Sequence, residues 1–169
     1  MRDFGFVHLS AGDLLRAELN RGGANAQLIN QYIAEGKIVP IHITVQLLKN
    51  AMEDAGWDKC VFLIDGFPRN EENRTGFNEV FEGKIEFLGV IYLNVSEECM
   101  TARIEERSKT SGRVDDNLQT LVKRFASFRN EQLPIIKYFA SQGKVLEVNA
   151  EQTPEKVYSD VKDVVNAAL

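Results

Sequence analysis

The chain has 169 residues, 44% of them apolar and 27% charged, with a formal net charge of −5. That length suits a single α/β domain spanning residues 1–169, and the ordinary apolar content excludes a disordered chain. No run approaches the ~18 apolar residues of a membrane span and no apolar signal core opens the chain. The acidic balance disfavours a general nucleic-acid or anionic-membrane binder, so a cytoplasmic protein is expected, with the nucleus also open to it. Cys60 and Cys99 stand alone, giving neither a disulfide framework nor a zinc spacing.

In chain order, the apolar run at 6–9 leads into Ser10-Ala11-Gly12-Asp13, a capping box with Ser10 as N-cap and Asp13 at N3. Helical patterns follow near Ala24–Glu35 and Ile41–Ala55, divided by Gly36-Lys37-Ile38-Val39-Pro40. The run Cys60–Asp65 predicts a strand buried on both faces and ended by Gly66, and Leu88–Val95 predicts a second. Ser96 then caps a helix whose first turn carries Glu97 and Glu98. From Asn117 a long helix shows apolar Leu118, Leu121, Val122, Phe125 and Phe128, and Pro134 is predicted to end or bend it. Residues 144–149 predict a last, half-exposed strand, and Thr153-Pro154 opens a final helix. Strands alternating with helices imply a parallel sheet, whose ligands sit at the carboxyl ends of its strands. Ser10–Asp13, Asp65–Arg69, Ser96 and Ala150 are therefore expected along one edge.

Several side chains carry chemistry. Asp65 ends an apolar strand where phosphate-transfer enzymes hold Mg²⁺ through its water shell, or it caps the next turn. Arg69 follows four residues on, with a guanidinium fork suited to phosphate. Between Thr101 and Asn130 seven basic residues stand against four acidic ones, a local +3 within an acidic chain. There the stretch 107–117 reads as a connection too polar to be packed in a core. Arg107, Arg113 and Arg124 could converge on an anion, as phosphoryl transfer requires. Alternatively, Asp115 and Asp116 order the loop by salt bridges. Arg16 lies one turn into a helix that starts at the sheet edge. His8 and His42 lack metal-ligand spacing, and no G-x-S-x-G, H-E-x-x-H or G-x-G-x-x-G occurs.

Four segments occur in order: H-L-S-A-G-D-L-L-R at His8–Arg16, E-G-K-I-V-P at Glu35–Pro40, L-I-D-G-F-P-R-N at Leu63–Asn70 and S-G-R-V-D-D-N at Ser111–Asn117. Together they resemble the nucleoside monophosphate kinases, in the UMP-CMP kinase branch of the adenylate kinase family, from Phe4 to the C-terminal helix. The resemblance implies a P-loop-kinase-like parallel sheet flanked by helices, with a helical monophosphate-binding insert at about 10–40 and a short lid at about 108–116. It further implies transfer of the γ-phosphoryl group of MgATP to CMP or UMP by a monomer serving pyrimidine biosynthesis. On that likeness Arg16 and Arg69 grip the acceptor phosphate beside Gly66 and Phe67. Lys37, Ile38 and Val39 line the acceptor region, largely by backbone. Arg107 lies by ATP, Arg113 and Arg124 reach the phosphates from the lid, Asp65 helps place Mg²⁺ through water, and Gln152 marks the adenine region. Asn73 and Ala11 are the choices of the pyrimidine branch. A carboxamide that flips can match either cytosine or uracil.

The family pattern opens with a strand and a phosphate loop, G-x-x-x-x-G-K-[ST]. The pairs Gly36-Lys37, Gly83-Lys84 and Gly143-Lys144 all lack its upstream Gly and its following Ser/Thr. The expectation is a kinase domain without that first, central strand, its ladder interrupted between the Phe62 and Val90 strands. Turnover by this chain is then a question for assay. Competing readings are an adenylate kinase with AMP as acceptor, a non-catalytic nucleotide-binding remnant, and an RNA-binding module using the stretch 103–129.

Overall fold

A computed structural model describes residues 3–113 and 115–169. The chain divides into two compact units, Met1–Glu82 and Gly83–Leu169, each with a two-stranded parallel sheet.

In the first unit β1 (Val7–Ser10) pairs with β2 (Phe62–Asp65), in a register that sets Val7 beside Phe62 and Ser10 beside Asp65. The crossover between them carries α1 (Ala11–Arg21), α2 (Ala26–Glu35) and α3 (Ile41–Ala55), and α4 (Glu71–Phe81) follows β2. Ser10 caps α1, its hydroxyl accepting the Asp13 N–H at 3.3 Å, as the capping-box spacing predicts. α2 starts two residues later than the periodicity predicts, because the Ala26 N–H bonds the Gly23 carbonyl at 2.9 Å and spends 24 and 25 on a turn. Gly36, at φ +68°, ends α2 in the left-handed conformation that glycine adopts without steric cost. The Gly36 and Lys37 N–H groups bond back to the Ile33 and Tyr32 carbonyls, which fixes the exit of the chain towards Val39. The core joins Leu15, Ile29, Val39 and Ile43, with Leu19, Tyr32, Ile33 and Leu47 packed on it. At Gly76 of α4, an added Cβ would lie 2.6 Å from Ile41 Cγ1, so the helices α3 and α4 meet where one has no side chain.

In the second unit β3 (Val90–Asn94) pairs with β4 (Val145–Asn149), Val90 beside Val145. α5 (Glu97–Ser111), α6 (Leu118–Ser127) and α7 (Leu133–Ser141) lie between the strands, and α8 (Pro154–Ala168) follows. Ser96, Asn117 and Thr153 cap α5, α6 and α8 through their side-chain oxygens. A π-helical turn, Phe128–Gln132, separates α6 from α7 and places Pro134 in the first turn of α7. Proline lacks the N–H that a continuous α-helical ladder would need, and a first turn is where that lack costs least. Buried Leu121, Ile135, Phe139, Val148, Ala150 and Val165 form the core here.

Several expectations are corrected. β2 and β3 are half-buried rather than buried on both faces, and Leu93 is 48% exposed. Full burial needs a strand with neighbours on each side under helices on each face, and in a sheet of two every strand is an edge. The ladder is interrupted as expected, since β2 and β3 are not hydrogen-bonded neighbours. Ser10 and Asp65 end the ladder of the first unit, and Asn94 and Asn149 end that of the second. The stripe on α6 is only partly buried: Leu121 points inward, whereas Leu118 and Val122 are 55% and 65% exposed. The inward face is centred on Thr120 and Leu121, a rotation that periodicity leaves undetermined. Among the described residues, no helix is long and apolar enough to cross a membrane.

Candidate functional site

At the carboxyl end of β2, Asp65 is exposed and leads into Gly66, at φ +72°. Glycine is required there for the left-handed backbone, and an added Cβ would also come 2.9 Å from Arg69 Nη2, which would have to shift. Arg69 folds back so that its Nε donates to the Gly66 carbonyl at 2.7 Å. Its own N–H donates to Asn73 Oδ1 at 3.2 Å, and the Asn73 N–H donates to Asn70 Oδ1 at 2.8 Å, capping α4. Asn73 is thereby a buried carboxamide, 3% exposed, tied to the turn that carries Arg69. In this arrangement Oδ1 accepts the Arg69 N–H, and a turned amide would set its NH₂ against that donor. Phe67 packs on Phe77 with ring centroids 5.4 Å apart, and Phe77 on Phe81 at 4.4 Å.

Ser10 pairs in register with Asp65, so the first turn of α1 starts at the same ladder end. Arg16 lies one turn along and pairs its Nη2 with Asp13 Oδ1. Lys37 is paired with Glu35 at 2.5 Å, and that hydrogen bond pushes the ammonium up from its ordinary value. Val39 spends its side chain in the core, leaving its main chain for any ligand, and Ile38 is half-buried. Thus Arg16, Asp65, Gly66, Phe67, Arg69 and Asn73 share one unit and one ladder end, with Lys37–Val39 in the crossover of that unit.

The arginine-rich connection differs from its sequence reading. α5 runs on through Ser111, which shortens the connection to residues 112–117, and Val114 of the quoted motif lies outside the described residues. Asp115 and Asp116 are buried, each 8% exposed, although the stretch reads as too polar for a core. Ion pairing makes that burial tolerable. Arg107 forks onto Asp116, Nε to Oδ2 at 3.0 Å and Nη2 to Oδ1 at 2.6 Å, while Arg124 Nη1 lies 3.2 Å from Asp115 Oδ2. The Ser111 hydroxyl donates to Asp116 Oδ2 at 2.6 Å and accepts the Arg113 N–H at 3.2 Å. The salt bridges expected of Asp115 and Asp116 are present. The bonds from Arg107, foremost, and from Ser111 hold the Asp116 carboxyl below the ordinary carboxylate range, against the opposing effect of burial. Arg107 is still 42% exposed, so its guanidinium can meet an anion while Asp116 steadies it.

Gln152, beyond β4, donates from Nε2 to the Asn149 carbonyl and to Asp160 Oδ2, both at 2.9 Å. Its own carbonyl and that of Ala150 accept from Arg103 Nη2 at 3.3 and 2.7 Å. Asp13, expected as the N3 residue of the capping box, also pairs with Arg16, and Asp116, expected as a salt-bridge partner in the loop, pairs with Arg107. The sequence gives no role to Ser111, or to Arg103 beyond the basic stretch. Among the described residues no group of three His, Cys, Asp or Glu could hold a metal ion.

Residues 1–144 match the sequence model of the adenylate kinase family. The chain is 47% identical to UMP-CMP kinase 3 of Arabidopsis thaliana over 161 residues, 95% of this chain and 77% of that protein. It is 43% identical to the UMP-CMP kinase of Danio rerio, covering 98% of this chain and 86% of the relative. It is also 43% identical to the uridylate kinase of Saccharomyces cerevisiae, covering 100% of this chain and 82% of the relative. With the four motifs in order and likeness over nearly its whole length, the chain belongs to the adenylate kinase family of nucleoside monophosphate kinases, in the UMP-CMP kinase branch.

Proposed function

We propose that the chain transfers the γ-phosphoryl group of MgATP to a pyrimidine nucleoside monophosphate, CMP or UMP. The observation that carries this reading is the Asn73–Arg69 pair, in which a base-reading amide is tied to the main chain of the residue whose guanidinium would grip the phosphate. With Oδ1 engaged, the Nδ2 donor suits cytosine N3 or uracil O4, so both pyrimidines fit one orientation. The names of the relatives, UMP-CMP kinase among them, support the same acceptors.

The acceptor phosphate is held by Arg16 and Arg69, with Gly66 and Phe67 shaping the turn beneath it and the main chain of Lys37–Val39 lining its region. A phosphate oxygen of the acceptor attacks the γ-phosphorus in line as the bond to the β-bridging oxygen breaks, giving ADP and the nucleoside diphosphate. Arg107, Arg113 and Arg124 neutralise charge on the transferred group and the bridging oxygen. Asp65 meets the magnesium of MgATP through water, and the backbone near Gln152 meets adenine. In this reading residues 10–40 are the acceptor insert and 108–116 the lid, and the enzyme works as a cytoplasmic monomer.

The test is a coupled assay with MgATP and CMP, UMP or AMP, run beside Arg113→Ala to expose any contaminating host kinase. Turnover of CMP or UMP that falls sharply in the variant is the expected result. A preference for AMP would make it an adenylate kinase. Turnover no greater than that of Arg113→Ala, with CMP still bound, would leave the binding-only reading, which the lack of G-x-x-x-x-G-K-[ST] in residues 1–169 favours.

A further inference from the structure

We infer that Gly12 is a positioning residue for the acceptor phosphate: its missing side chain gives the Arg16 fork its place over the first turn of α1. The inference rests on the proposed role of Arg16. An alanine Cβ at Gly12 would lie 3.2 Å from Arg16 Nη2, 3.3 Å from Nη1 and 3.6 Å from Cζ. Both terminal nitrogens are nearer than the carbon between them, so the open end of the fork overhangs this residue. Asp13 holds it there through Nη2.

Backbone conformation gives no reason for glycine at this position. Gly12 lies in the first turn of α1, and it is not among the glycines with positive φ. Alanine would be the better helix former there, by about 1 kcal/mol. What glycine supplies is space. Ser10, the cap of α1, sits beside Asp65 in the β1–β2 register, so the space over Gly12 is at the ladder end that also carries Gly66 and Arg69. At Gly66 the relation repeats, an added Cβ falling 2.9 Å from Arg69 Nη2. Each acceptor-phosphate arginine therefore rests against a position that has no side chain. Because Gly66 is also bound by its left-handed backbone, Gly12 is where the positioning role can be tested cleanly.

The experiment is a double-substitution cycle, Gly12→Ala, Arg16→Ala and both together, read by CMP binding in calorimetry and by thermal unfolding. Arg16→Ala is expected to weaken CMP binding by about 10- to 100-fold, the loss of a charge-assisted phosphate contact. Gly12→Ala is expected to weaken it by about 3- to 10-fold with a melting temperature no lower than that of the parent, since it displaces the fork without removing it. In the Arg16→Ala background the Gly12→Ala effect should vanish. Gly12→Ala binding like the parent, or costing the same with and without Arg16, overturns the inference and leaves the role of Arg16 standing. Unchanged binding in Arg16→Ala, or no CMP binding by the parent chain, overturns the role of Arg16 and the inference with it. Independently of any nucleotide, a crystal structure of Gly12→Ala should show the fork shifted away from residue 12 by a few tenths of an ångström or more, and finding it unmoved would count against the proposal.

Discussion

Asp116 and Arg107 meet fork to fork, at 2.6 and 3.0 Å, across a loop that separates them by nine residues. The Asp116 side chain is 1% exposed, while Arg107 keeps a face towards solvent. The carboxylate is thus the structural partner, and the guanidinium is the one able to do outside work. Asp116→Asn should cost about 1–2 kcal/mol of stability, near the low end for a buried pair because Arg107 recovers water. Urea unfolding at neutral pH measures it, and an unchanged midpoint would show that the pair contributes nothing to the fold.

The same pair predicts a pH dependence. The folded carboxyl of Asp116 titrates below its ordinary value of 3.8, chiefly through Arg107. The unfolded state therefore binds this proton first as pH falls. The stabilisation is complete above the ordinary value and is lost as pH falls through the lowered folded one. The difference in midpoint between the parent and Asp116→Asn should stay level down to about pH 5 and shrink below about pH 4. A difference that grows on acidification would contradict this sign.

Asn73 allows stability and recognition to be separated. Asn73→Ala strands the Arg69 N–H without its acceptor, at a cost of about 1–3 kcal/mol. Asn73→Asp keeps an oxygen for that N–H but puts an acceptor where the base needs a donor. It should weaken CMP binding by about tenfold or more with a smaller loss of stability. Calorimetric titration with CMP beside a melting curve distinguishes the two variants, and equal CMP affinity in Asn73→Asp would remove Asn73 from the base site.

Gly76 predicts the opposite of its helix propensity. Alanine there favours helix by about 1 kcal/mol, yet its Cβ would stand 2.6 Å from Ile41 Cγ1. Overpacking should win, leaving Gly76→Ala about 1–2 kcal/mol less stable than the parent. In an Ile41→Ala background the same change should be neutral or stabilising, because the clashing atoms are gone. Additive effects in chemical denaturation would sink this account.

Much of the site was legible in the sequence because its signals are local. The hydroxyls of Ser10, Ser96 and Thr153 act within three residues, so their caps could be read from spacing alone. The turn at 65–73, with its terminal Asp65, left-handed Gly66 and folded-back Arg69, is likewise closed by bonds spanning three or four residues. Motif order over the whole chain carried the family.

Tertiary structure decided the rest. That Arg107 pairs with Asp116 and Arg124 with Asp115 depends on how the chain folds between 107 and 124, and residue types alone do not dictate it. Arg103 reaches the carbonyls of Ala150 and Gln152 across 47 and 49 residues, a contact without a local trace. The apolar runs at 60–65 and 88–95 predict strands, which form over 62–65 and 90–94, but their half-burial reflects the number of neighbours in each sheet. Composition and spacing set which side chains could serve, because caps, turns and periodicity act over a few residues. Partner choice and burial were set by the fold, because they depend on surfaces brought together from distant parts of the chain.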